Sequence, residues 1–460
     1  MMKKTAVTAV SVLLAMSLSA CGGGSDDAGK GAAAGNTGAK PGEKTKITYW
    51  TLDRHDADYI KEVIDKFNQT NKDNIEVELV VKADDYAQAL DLAFSAAQAP
   101  DVFRVKENTI QTYYKKGYMA PIDEYLTEEQ KKKFPAMPDL NQFDGKMYSL
   151  PNYGSTMRLV YNKDLFDKAG IAKPPTTLAE LVEDAKKLTA AGKATGAYGF
   201  ALPFKTPSSA WGRSARVIAE LSGYGGFGYD FKTARYDFSG FKEITKAFKQ
   251  MRDDGSTLPG MEALDIDPLR AQFAEGKIGM YLSFSSEPGV YKSQFPAKIN
   301  WAAAPAPTID GSIKGASGFL GGQWLAINKD SKKKDAAWTF INYMYGDDIL
   351  QPYHEKGYGI SMVPSIISKV KQPDINGIEG FLPNKYDGVW PIVPTVTVQG
   401  VKYEDAFWKY ILEGGDLDKV IADLNKRYNE SLDKAIANGE VTAKPDASFD
   451  PAKMQGTFAK

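Results

Sequence analysis

The sequence predicts an α/β protein of two lobes, and three observations carry that expectation. Its hydrophobic period switches repeatedly between strand spacing and helix spacing. The body from Lys46 to Lys460 is too long for one ordinary core. Its apolar strand runs end in polar loops, the place where open α/β sheets bind ligands.

Ile47-Thr48-Tyr49-Trp50 is β-branched and aromatic, as a buried strand requires, and it gives way to Asp53, Arg54, His55 and Asp56, a strand-to-helix loop. Ile60, Val63, Ile64 and Phe67 then repeat at helical spacing, and Ile75, Val77, Leu79 and Val81 alternate as a second strand. A crossover helix between two strands makes them parallel. Tyr86, Leu90, Phe94 and Ala97 start another helix after Asp84 and Asp85, and Pro100 to Val105 supplies a third strand. The next helix, with Ile110, Tyr113 and Tyr114, stops at Gly117.

Further on, Asp144-Gly145 reads as a hairpin turn, and Thr177 followed by Glu180 forms a capping box. The helix it opens buries Leu178, Leu181, Val182, Ala185 and Leu188. Ser239 is the expected cap for Phe241, Ile244, Phe248 and Met251, and Asp267-Pro268 opens a helix ending at Gly276. Ile278, Met280, Leu282 and Phe284 alternate as a strand that ends in Ser285, Ser286 and Glu287. Trp324 to Ile327 is another strand, preceded by glycines that permit close backbone approach. A long amphipathic helix through Leu417, Leu424, Leu432 and Ile436 closes the chain.

The front of the chain has a different character. Lys3 and Lys4 precede a short apolar run, Ala6 to about Ser19, that is too short to span a bilayer and reads as a secretory signal over residues 1–20. Cys21 is the sole cysteine, so no internal disulfide is available and its thiol is free to carry lipid. The Gly, Ala and Lys-rich stretch 21–45 reads as the lipidated residue followed by a flexible tether.

Leu18-Ser19-Ala20-Cys21 resembles the bacterial lipobox, in which the cysteine is acylated. The mature chain resembles the extracellular solute-binding proteins of bacterial ABC importers, in the maltose-binding-protein-like branch that takes sugars and oligosaccharides. The residues that carry the likeness are the opening strand ending at Trp50, Ala99-Pro100-Asp101-Val102-Phe103, Gly117 to Asp123, Tyr161-Asn162-Lys163-Asp164 and Pro174-Pro175-Thr176-Thr177. The resemblance implies a type II periplasmic-binding-protein-like fold, each lobe a mainly parallel sheet flanked by helices, with a ligand cleft between them. It implies discontinuous lobes, 46–153 with 305–357 and 154–304 with 358–460. The strands near Asn152–Gly154, Pro305–Pro307 and Gly357–Ser361 would act as hinges.

The expected ligand chemistry follows from what is present. With His55 and His354 the sole histidines, histidine metal clusters and histidine-based nucleophilic catalysis lack their parts, and no phosphate loop or calcium loop occurs. A formal net charge of −1 gives no reason to expect nucleic acid. Carboxylates, amides and aromatic faces remain, the inventory that holds a polyol by its hydroxyl rim and its C–H faces. No catalytic residue, metal or cofactor is expected. The expected aromatic platforms are Trp211 beside Arg213, Trp324 beside Gln323, and Trp390. Trp50 and Trp301 read as core, and Phe407 and Trp408 fit packing or ligand contact equally. Mapped by motif, the family's binding loops fall on Asp53, Arg54 and His55, on Glu107, Asn108 and Thr109, and on Ser285, Ser286 and Glu287, with Tyr153 at the hinge. The loops at Asn108 and Ser286 lack the aromatic and charged residues of the maltose binder, which argues for a different saccharide. The resemblance further implies permease subunits as partners, a membrane attachment through lipid on Cys21, and a monomer. A peptide, polyamine or iron chelate as cargo, or a secreted glycoside hydrolase using Asp53, Glu107 and Glu287, are the rival readings.

Overall fold

The computed structural model describes residues 44–457 apart from 83, 84, 107, 108, 135, 138, 139, 323 and 372. The expectations for the signal segment, Cys21 and the tether, and those for Asp84, Glu107, Asn108 and Gln323, lie outside the described residues.

The first sheet has four strands, with Thr45–Thr51 flanked by Ile75–Val81 and Val102–Val105 and with Trp324–Ile327 at the edge. The first three strands are parallel, Tyr49 standing opposite both Leu79 and Val102, as the crossover helix requires. Trp324–Ile327 joins antiparallel, with Trp324 opposite Val105, so the sheet is completed by a segment far along the chain. Ile60, Val63, Ile64 and Phe67 all face inward from the helix Ala57–Thr70. They meet Ala337, Phe340 and Ile341 of the helix Lys334–Met344 in one cluster, with the Phe67 and Phe340 rings edge to face at 5.4 Å. Each such side chain contributes about 1.5–3 kcal/mol by leaving water.

The second sheet runs in the order Trp301–Ala304, Met157–Asn162, Ile278–Phe284, Tyr198–Phe200. Here just the last pair is parallel, and the other two pairings are antiparallel. The expectation of a mainly parallel sheet therefore describes the first lobe and not this one. The reason is the point of entry: Met157 begins its strand beside Phe284, where the neighbouring strand ends, so the incoming chain has to run the opposite way. The Thr177 box is formed, its hydroxyl accepting from the Glu180 amide at 3.0 Å, and the stripe from Leu178 to Leu188 is buried beneath. Asp237 rather than Ser239 caps the following turn, accepting the Ser239 amide at 2.9 Å. Phe407 and Trp408 are both core residues.

A small antiparallel sheet of Tyr153–Ser155 flanked by Leu320–Gly321 and Ile360–Ser361 connects the two halves. Of the three expected hinges, Asn152–Gly154 falls on the first of these strands. Pro305–Pro307 does not: residues beyond it stay on the second lobe, with Thr308 bonded to Thr176, Lys314 to Leu221 and Ser317 to Tyr386. The chain leaves that lobe at Leu320–Gly321 instead. Gly357–Ser361 overlaps another strand of this small sheet, Ile360–Ser361, but the chain does not cross to the second lobe there, because Val363 and Ile366 are buried in the first lobe's cluster. The chain reaches the second lobe by Gly377, where a Cβ would meet the Trp301 ring at 2.3 Å, leaving room for hydrogen alone.

Candidate functional site

Strand ends from both sheets face a cavity of about 450 Å³. A second cavity of about 560 Å³ adjoins it, and Arg216, Phe227, Gly321, Tyr403 and Glu404 line both, so the two are compartments of one cleft. This volume is in the range of small-ligand sites.

The first lobe supplies the loop after Thr45–Thr51. The Asp53 amide donates to the Thr51 hydroxyl at 3.2 Å, and the Asp53 carboxylate is ion-paired with the Arg104 guanidinium. Burial pushes the Asp53 carboxyl up, but Arg104, with His55 and Lys106, outweighs burial and holds it below the usual range. Arg54 reaches across the cleft mouth to Asp267 at 3.4 Å and Asp265 at 3.6 Å, and its carbonyl accepts from the Gln294 amide at 3.0 Å. The Tyr353 hydroxyl donates to Asp56 at 2.9 Å and sits 3.1 Å from His55 Nε2, so that nitrogen must be the donor to it. Tyr153 borders the cleft while its ring is buried against Tyr353.

The second lobe supplies arginines. Arg270 grips Glu287 through Nη2 at 2.8 Å and Nε at 3.0 Å, and Ser283 donates to the same carboxylate at 2.6 Å. Glu287 is fully buried, and although burial pushes its carboxyl up, Arg270 prevails and holds it low. Arg216 lies over the Phe227 ring at 4.3 Å and pairs with Glu220 at 2.7 Å, while Glu220 also accepts from the Gly318 amide at 2.7 Å. Arg213 lies over Phe284 at 4.7 Å and donates to the Ser283 hydroxyl at 3.0 Å. Ser286 lines the cleft between them.

Several expected ligand contacts are therefore corrected. Trp211 is fully buried and stacked on Phe407 at 5.2 Å. Two positions turn a helix by about 200°, so the helix that sends Trp211 into the core sends Arg213 into the cleft. Trp324 is also fully buried, packed under Gly321, where an added Cβ would lie 2.7 Å from the indole ring, yet it lines the second compartment from behind that glycine. Glu287 neutralises Arg270 and does not border the cleft. Asp53, Arg54, Tyr153, Ser286 and Trp390 do border it. Trp390 is half-buried beside Phe231 and Phe449, with its indole N–H on the Ala316 carbonyl at 2.9 Å.

Glu404, Arg216 and Phe227 were not anticipated, and Arg213 was expected only as the polar neighbour of Trp211. Glu404 stands in the first turn of the helix Tyr403–Glu413, where an acid is expected simply to complement the helix dipole. In the fold its Oε2 is buried with no hydrogen-bond partner, and burial pushes the carboxyl up. Among the described residues there is no His, Cys, Asp or Glu group that could hold a metal, and no helix long and apolar enough to cross a membrane.

Residues 53–350 match the family described as bacterial extracellular solute-binding protein. A Brucella abortus relative is 29% identical over 277 residues, the match spanning 58% of this chain and 64% of that protein, so just under two thirds of the relative's length is covered. The diacetylchitobiose-binding protein DasA of Streptomyces coelicolor is 27% identical over 359 residues, 75% of this chain and 79% of that one. Among solved structures, the GacH receptor of Streptomyces glaucescens superposes with a TM-score of 0.69 at 21% identity, covering 85% of this chain and 99% of that one. With two sheets flanking a polar cleft and a match across most of the body, the chain belongs to the bacterial extracellular solute-binding protein family.

Proposed function

We propose that this chain is the substrate-capturing component of an ABC importer, binding a sugar or oligosaccharide in its interlobe cleft and delivering it to the membrane permease. The observation that carries the reading is the partnerless Oε2 of Glu404, buried where the two compartments meet, with Phe227 and Trp390 in the surrounding walls. A buried acceptor without a partner is costly, and a ligand hydroxyl supplies the missing donor. Aromatic rings beside it suit the C–H faces of a sugar. The name of the relative DasA, a diacetylchitobiose-binding protein, supports the same class of cargo.

In this reading the lobes are 44–154 with 321–370 and 155–320 with 371–457, and the ligand is buried by closure about the small central sheet. Contacts from both lobes are what make closure favourable. Attachment to the cell surface through lipid on Cys21, and action as a monomer, belong to the same proposal. A glycoside hydrolase is disfavoured because Asp53 and Glu287 are committed to Arg104 and Arg270, so neither is a free acid facing a sugar bond. A thermal-shift screen of residues 44–460 against neutral and acidic mono- and oligosaccharides tests the proposal. A cargo that binds the native state raises the melting temperature. A screen in which no saccharide does so while a peptide or a metal chelate does would reject it.

A further inference from the structure

We propose that the cleft contains a subsite for an oxyanion of the cargo, centred on Arg213, so that the captured saccharide carries a carboxylate or a phosphate. The inference rests on the saccharide-binding reading above.

The arginines bordering the first compartment fall into two kinds. Arg54, Arg104, Arg216 and Arg270 each hold a carboxylate: Asp265 and Asp267, Asp53, Glu220, and Glu287 respectively. Arg213 holds none. Its Nη1 donates to the Ser283 hydroxyl at 3.0 Å and its Nε to the Ser209 hydroxyl at 3.4 Å, both uncharged acceptors. Its Nη2 has no hydrogen-bond partner among the described residues, and no carboxylate of those residues lies within ion-pair distance. The nearby Glu287 carboxylate is already shared between Arg270 and Ser283.

A guanidinium taken partly out of water without a counter-ion is costly, and proteins as a rule pair such groups. Burial, followed by repulsion from Arg270, lowers Arg213 to about 10 against the weaker attraction of Glu287, which is not paired with it. Sugar hydroxyls would satisfy hydrogen bonds at Nη2 but would leave the charge unbalanced. A planar carboxylate or a phosphate supplies both, and the guanidinium fork matches either bidentately. Phe284 beneath the guanidinium plane and the two serines at its edge fix its direction into the cleft, so the site is preorganised. The carboxylate of Glu287 is fully buried behind Arg270, which leaves that arginine toward the first compartment, and Glu220 borders the second compartment neutralised by Arg216.

The test is isothermal calorimetry on the purified chain with matched probes. Digalacturonate and glucose 6-phosphate are the acidic arms, and galactobiose, glucose, maltose and diacetylchitobiose are the neutral ones. An acidic probe is expected to bind at least about 100-fold more tightly than its neutral parent, with the better of the two arms naming carboxylate or phosphate. Arg213→Gln should weaken the acidic probe at least about 10-fold more than its neutral parent. Arg213→Lys, which keeps the charge and loses the fork, should retain part of the acidic preference and guards against a folding defect in the first variant. Binding of a neutral probe as tightly as its acidic counterpart, or equal losses for both in Arg213→Gln, overturns the oxyanion subsite and leaves saccharide binding standing. Absence of binding by every probe, neutral and acidic, rejects the saccharide reading itself and the subsite with it.

Discussion

The ring of Tyr153 lies flat on that of Tyr353, with centroids 4.0 Å apart and planes 24° from parallel. Tyr153 belongs to the strand that leaves the first lobe, and Tyr353 to a helix of that lobe whose hydroxyl joins Asp56 to His55. The stack contributes about 0.5–1.5 kcal/mol beyond its burial and ties the base of the hinge to the binding loop.

Tyr353→Phe should keep the stack and remove the hydroxyl, leaving the nearly fully buried Asp56 one donor short. A loss of about 1–3 kcal/mol in urea denaturation is expected. No change would mean that Asp56 is satisfied without Tyr353.

Arg54 spans the cleft mouth by its pairs with Asp265 and Asp267. Arg54→Ala should shift the unliganded protein toward a more open form, seen as a larger radius of gyration in X-ray scattering. High salt should do the same to the parent protein, because partly exposed pairs are screened. An identical radius in both proteins at low salt would show that Arg54 does not latch the lobes.

Trp211 and Trp390 should separate cleanly. Trp211→Ala empties a fully buried position against Phe241, Phe248 and Phe407 and should cost about 3–5 kcal/mol. Trp390→Ala removes a half-buried wall of the second compartment and should weaken saccharide binding with a small change in melting temperature. Early melting of both variants would assign Trp390 to the core as well.

Glu404 provides a pH signature. Its folded carboxyl is raised by burial, so the folded state binds the proton more tightly than the unfolded one. Its penalty is absent below the unfolded value of about 4.3 and grows as pH rises through the folded value. Glu404→Gln should therefore raise the melting temperature at pH 7, with the gain fading by pH 4, and should weaken saccharide binding by removing the charged acceptor. A gain that persists unchanged at pH 4 would deny that ionisation is its source.

What could be read in the sequence was local. The strand Ile75–Val81 showed its alternation, the helix Ala57–Thr70 its buried stripe, and Thr177 with Glu180 their box, because each depends on neighbours within one or two turns. The loop after Thr51 could likewise be assigned to the cleft, since a strand's end in a parallel sheet is a position as well as a composition. Trp211 misled because an indole near polar residues has the same sequence signature in a cleft wall as in a core.

The sequence by itself determined the alternation of strands and helices and the polar loops that end the strands, since these are set by periods of two and 3.6 residues. Tertiary structure alone decided where the chain crosses between lobes, that the second sheet is mixed, and that Arg213 rather than Trp211 meets the cleft. Those outcomes depend on pairings between distant segments, such as Trp324 opposite Val105 or Arg158 held by Asp387 at 2.6 Å, and no local period encodes which distant partner a residue will meet.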